Sequence, residues 1–101
     1  TWINNINMSK IDNIELSGKV SEVYPEETIN LKNGDTLKKV RFVIENTEKK
    51  FNNKVCIELI NKNTFLVNKL KKGENATVKC GAYSTEYNNK FYTYLQCFAV
   101  N

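Results

Sequence analysis

At 101 residues, 41% of them hydrophobic and 26% charged, the chain has the length and composition of one globular domain that folds without disulfide staples. With no histidine, the commonest general base is missing, and three cysteines without a CxxC pair offer no metal-ligand spacing, so neither an enzyme, a metal site nor a cofactor is expected. A formal net charge of +4 and a pI near 9.0 suggest a polyanionic partner, although an AT-rich genome also enriches lysine and asparagine, so position carries more than number.

Residues 1–13 are rich in asparagine, show no period and read as an N-terminal tail. Within it Met8 opens MSKIDNIELSGKV, which fits a natural start, and residues 1–7, including Trp2, read as a remnant or a flexible arm. Residues 14–101 read as the domain. From Glu15, Leu16, Gly18 and Val20 alternate with Ser17, Lys19 and Ser21, the pattern of a half-buried strand. Gly18 inside it suggests a bend or bulge. Pro25 marks a boundary.

Two extended arms then flank Asn33-Gly34, a pair that suits a tight hairpin with two positive-φ residues. In the second arm Val40, Phe42 and Ile44 face the core and leave Lys39 and Arg41 together outside. Glu26 and Glu27 read as loop residues. After the polar loop NTEKKFNN, Val55, Ile57 and Leu59 face inward and Lys54, Cys56, Glu58 and Ile60 outward. Asn63 can cap a short amphipathic helix of two turns that carries Leu66 and Leu70 on one face and ends at Gly73. A fourth strand follows, with Ala76, Val78 and Cys80 inward. The last strand runs from about Lys90 to Val100 after a turn at Asn88-Asn89.

Three strands, a short helix and two strands is the order of an all-β OB-fold, a five-stranded Greek-key barrel with a short helix between strands 3 and 4. The alternative, another small barrel such as an SH3-like one, lacks a helix at this point. All three cysteines lie in apolar strand-like runs and read as small buried hydrophobes, which suits a reducing cytoplasm. No apolar run approaches the roughly 18 residues of a membrane span, and no membrane partner or small-molecule substrate is expected.

The last strand has two faces. Phe91, Thr93, Leu95, Cys97 and Ala99 suit a tight interior; Tyr92, Tyr94, Gln96, Phe98 and Val100 are left outside, because phenols and an amide are costly to bury unpaired. An outward aromatic row either covers a neighbouring element or dimer partner, or stacks unpaired bases while lysine and arginine follow the phosphates. The second reading assigns base stacking to Tyr87, Tyr92, Tyr94 and Phe98, and backbone contacts to Lys19, Lys39, Arg41, Lys54 and Lys90. Arg41, the lone arginine, either forks onto a phosphate or bridges to Glu45 or Glu58. The expected partner is single-stranded DNA, or RNA, bound with little sequence preference, and the hairpins at Asn33-Gly34 and Asn88-Asn89 would close over it.

Several motifs resemble a family of short, largely uncharacterised bacterial and phage OB-fold proteins. They are a strand opening at Gly18, Lys19 and Val20; a second strand carrying Lys38, Lys39, Phe42, Val43 and Glu45; a junction at Leu70, Gly73 and Val78; and a closing hairpin with Ser84, Glu86, Tyr87, Lys90, Phe91, Tyr92 and Thr93. The hairpin is the most specific element, and the resemblance covers about residues 15–100. Thr85 stands where the family usually has arginine, and Phe91 where it usually has tryptophan. More distantly the chain is similar to bacterial-type single-stranded DNA-binding proteins, but no acidic tail like theirs appears before Asn101, so no recruitment of replication partners through one is expected. Together with the aromatic and basic residues, the resemblance points to a non-catalytic single-strand binder in replication, recombination or repair, and a homo-oligomer, most simply a dimer, is expected. The alternative is an assembly module that buries the same surface in a dimer or heteromer contact.

Overall fold

The computed structural model describes residues 12–101, so the predicted tail, with Trp2 and Met8, lies outside it except for its last two positions. The strands are β1 (Ile14–Val23), β2 (Glu27–Asn30), β3 (Thr36–Glu45), β4 (Lys54–Ile60), β5 (Asn75–Tyr87) and β6 (Lys90–Val100). A 3₁₀ helix, Asn61–Lys69, joins β4 to β5. The sheet order is β1-β5-β6-β4-β3-β2, and β1 also pairs with β3. Five strands therefore close on themselves as β1, β3, β4, β6, β5 and back to β1. All contacts in the ring are antiparallel except β4 with β6, which run parallel and meet at Glu58 and Gln96. The sixth strand, β2, is the first arm of the Asn33-Gly34 hairpin, laid along the start of β3.

Period-two alternation fills the barrel. Val20, Phe42, Ile57, Leu59, Val78 and Cys80 are wholly buried, with Val40, Ile44, Cys97 and Val100 almost so. A side chain like Phe42 contributes about 2–3 kcal/mol when fully buried. Leu66 on the helix and Leu70 just after it close one end of this core. The expected inward set on β5 holds.

Several local expectations are corrected. The helix starts at Asn61 rather than at an Asn63 cap, ends at Lys69 rather than at Gly73, is of the 3₁₀ type, and has no side-chain cap bond. Asn61 takes a left-handed φ of 50°, and its Oδ1 accepts the Lys38 N–H, so it ties the helix start to β3. Of Asn33 and Gly34, only Gly34 has positive φ, at 91°. The Gly34 N–H donates to Leu31 O and the Leu31 N–H to Asp35 O, a wider turn than the two-residue one expected. The Asn88-Asn89 turn does take two positive φ values, 52° and 64°.

Gly18 is not the bulge. The register of β1 against β3 shifts between Val20 and Glu22, whereas Gly18 is a point of close approach. A Cβ there would lie 2.7 Å from Glu45 O and 2.7 Å from Ile44 Cγ2. Here β1 leaves β5 and turns onto β3, so one strand serves two neighbours around a tight barrel.

Val100 is buried and not outward, because a register shift at Lys79/Cys80 pairs Cys80 with Cys97 but Lys79 with Ala99. Phe98 is the extra residue, and beyond it the parity of β6 reverses. Phe91 and Thr93 are exposed rather than interior, since β5 and β6 run past the barrel and both faces of their hairpin meet solvent. Val55 is 37% exposed at the start of β4. Cys56 is exposed on the outer wall, while Cys80 and Cys97 face each other inside as free thiols.

Candidate nucleic-acid interface

The outer wall of β3, β4, β6 and β5 follows from the residues left over by the core. On β3 these are Lys39 and Arg41; on β4, Lys54, Cys56 and Glu58; on β6, Tyr92, Tyr94 and Gln96; on β5, Tyr83, Thr85 and Tyr87. Register brings Arg41 beside Glu58, Glu58 beside Gln96, Tyr83 beside Tyr94, and Thr85 beside Tyr92. The Tyr83 and Tyr94 rings stack, with centroids 5.4 Å apart and planes 28° from parallel.

One polar network crosses the wall beneath these rings. The Tyr83 hydroxyl donates to Glu58 Oε1 at 3.1 Å, and Lys39 Nζ lies 3.2 Å from Glu58 Oε2. Glu58 is only 5% exposed and is the one buried charged side chain among the described residues. A carboxylate so placed needs such partners, since unpaired burial of charge is expensive. Burial, and then the Glu58 charge, push the Tyr83 phenol above its ordinary range. Burial likewise raises the Cys56 thiol, against the pull of the Arg41 cation.

Arg41 bridges to neither Glu45 nor Glu58. Its Nη2 sits 3.1 Å from Glu27 Oε2 and its Nε donates to the same oxygen. Its guanidinium carbon lies 5.7 Å from the Tyr24 ring centroid. Glu27 can reach because it lies in β2, paired with Lys39, and not in a loop. Both side chains of this ion pair are nearly half exposed, so it stabilises little and can open to an anion.

The remaining expected residues divide. Tyr92 and Tyr94 share the wall with Lys39 and Arg41, and Lys54 lies at its far end beside Glu45. Tyr87 and Lys90 flank the hairpin turn, with Tyr87 68% exposed. Phe98 stands out at the bulge, 46% exposed. Lys19 stands at the margin of this wall, across Glu45 from Lys54. It lies on β1 beside Glu45 and Asn75, lining a separate polar pocket of about 440 Å³ with Ser17, Asn46 and Thr77. Sequence reasoning missed Tyr83 on the wall and Tyr24 beside Arg41. Folding the hairpin symmetrically about Asn88-Asn89 would have found Tyr83 opposite Tyr94.

A five-stranded ring with this strand order, plugged by a helix between its third and fourth members, makes the protein an OB-fold barrel. The chain belongs to the family described as Domain of unknown function (DUF3127), which matches residues 15–101. No curated protein sequence matches it. Among solved structures it is similar to the second OB-fold domain of replication protein A from Methanococcus maripaludis, at 15% identity over 88% of this chain and 81% of that one, with a TM-score of 0.60. It is also similar to Rim1, a mitochondrial single-stranded DNA-binding protein of S. cerevisiae, at 15% identity over 89% and 91% of the two chains, with a TM-score of 0.59. At these identities the likeness is one of fold.

Proposed function

We propose that this protein binds single-stranded DNA, without catalysis and with little sequence preference, in replication, recombination or repair. The observation that carries the reading is the stacked Tyr83–Tyr94 pair on an open barrel wall beside Lys39 and Arg41. Flat rings accept any base, and cations beside them accept the phosphates between bases. A structural neighbour named as a single-stranded DNA-binding protein supports the same reading. Tyr92 and Tyr94 stack bases with Tyr83 in this scheme, and Tyr87 and Phe98 extend the row. Arg41, Lys54 and Lys90 meet phosphates. Lys39 is held by Glu58 and serves mainly to position the wall, and Lys19 stands at its margin across Glu45 from Lys54.

The test is a fluorescence titration with oligo-dT at two salt concentrations. About three phosphate contacts give a slope of log K against log salt of about −2 for a single strand. Tyr94→Ala is expected to cost about 1–3 kcal/mol of binding free energy. Absence of binding at low salt would remove the proposal.

A second reading is an assembly module. The β5–β6 hairpin stands clear of the barrel and exposes Tyr87 and Phe91, each 68%, on its two faces. An isolated hairpin is marginal in water, so a second copy could cover it. Size-exclusion chromatography of Phe91→Ala separates the readings: a changed oligomeric state with unchanged DNA binding assigns the hairpin to assembly.

A further inference from the structure

The wall does not end with β4. Lys39 pairs in register with Ile60, the last residue of β4, and the next residue opens the 3₁₀ helix. The Lys38 N–H donates to Asn61 Oδ1 at 3.0 Å, which fixes that opening against β3. Since β4 and β6 are parallel at Glu58 and Gln96, two residues further along each lead to Ile60 and to the exposed Phe98. The helix therefore opens directly off β4, beside the Lys39 end of β3.

Residues three apart eclipse in a 3₁₀ helix. Lys62, Phe65 and Asn68 thus form one stripe, and all three are exposed. Leu66, the next residue after Phe65, is 5% exposed and anchors the helix in the core. Phe65 itself is 61% exposed and contributes little to that anchor. Lys69, in the last turn, is also exposed. Lys38, Lys62 and Lys69 form no ion pair among the described residues, whereas nearby Lys72 is held by Glu22 at 3.3 Å. A flat ring with one uncommitted cation, Lys62, a turn before it and another, Lys69, on the neighbouring stripe with Leu66 repeats, on the helix, the chemistry of the barrel wall.

We propose that Phe65 is a further stacking site for a single-stranded nucleic acid, with Lys62 and Lys69 on the adjoining phosphates, so that the strand continues from the β3–β4 wall onto the 3₁₀ helix. This rests on the reading of the wall given above. It assigns binding to an element that otherwise serves only to plug the barrel.

The experiment measures anisotropy of labelled oligo-dT of about 5 and about 15 nucleotides, near the short and long ends of the span of one OB-fold. The proteins are the full chain and its Phe65→Ala, Phe65→Leu, Phe65→Trp and Tyr94→Ala variants. Phe65→Ala and Phe65→Leu are expected to weaken binding of the longer strand by about 5- to 20-fold, and to leave the shorter within about twofold. Phe65→Trp retains wild-type affinity, and Tyr94→Ala weakens both lengths. Unchanged binding of the longer strand by Phe65→Ala, or retention of it by Phe65→Leu, overturns the stacking site and leaves the wall site intact. Equal loss on both lengths overturns it too, because Phe65 would then not extend the track. If the wild-type protein binds neither length, the wall reading fails and the extension with it.

Discussion

Glu58 organises the wall one side chain at a time. Its two oxygens are taken by Lys39 and by the Tyr83 hydroxyl, and Tyr83 then presents its ring to Tyr94. Removing Lys39 strands a buried carboxylate. Lys39→Ala is therefore expected to lower unfolding free energy by about 2 kcal/mol in urea titration, less than for a wholly buried pair because the lysine is 21% exposed. The Tyr83 phenol, raised above its ordinary 10.0, adds a pH dependence. The folded state holds that proton more tightly than the unfolded state, so the contribution is complete below about pH 10 and is lost as pH rises beyond it. Tyr83→Phe is expected to flatten the alkaline fall in stability between pH 9 and 11, measured by urea titration at each pH. An equally steep fall in the variant would assign the loss to other groups. Little of this network was legible in the residues alone. The outward placement of Lys39, Glu58 and Tyr94 follows from alternation, but which charges meet depends on register across strands. Arg41 shows the limit, since its partner Glu27 lies on β2, a strand the sequence reading did not count separately.

Among the elements, the strands were legible because their core faces alternate cleanly, as with Val40, Phe42 and Ile44 on β3. Alternation fails where a residue is inserted. Nothing in KFYTYLQCFAV marks Phe98 as a bulge, so the inward side after it was assigned to Ala99 instead of Val100. The helix was legible as an element but not in type, because Leu66 and Leu70 suit the core in either geometry. Of the bend or bulge expected at Gly18, the bend holds: β1 turns there from β5 onto β3 in close approach, and the register shift falls later, between Val20 and Glu22. Gly18→Ala puts a methyl against the backbone oxygen of Glu45, which cannot move aside as a side-chain end can. It is expected to cost about 1–3 kcal/mol, a fall in Tm of roughly 4–8 °C per kcal/mol for a domain of this size. Differential scanning calorimetry checks this, and an unchanged Tm would mean β1 shifts freely over β3.

For the whole molecule, closing the ring sorts the side chains into a barrel interior, an aromatic and basic wall, and a separate polar pocket on β1 and β5. The OB-fold was legible from element order and spacing, because a helix between the third and fourth barrel strands is a topological feature that needs no side-chain detail. The surfaces were less so: Lys19 belongs by charge to the same class as Lys39, but the register of β1 on β3 sets it beside Glu45, at the opposite end of β3 from Lys39. The central claim is that the β3–β4–β6–β5 wall receives the strand, and Cys56 reports on it directly. It is exposed on this wall, while Cys80 and Cys97 are buried. The deciding measurement is the rate at which a thiol reagent modifies the native protein with and without saturating oligo-dT. The account expects the bound strand to slow modification of Cys56 by about tenfold or more, in keeping with stacked bases covering the adjoining tyrosines; an unchanged rate with the strand demonstrably bound would place the binding surface elsewhere.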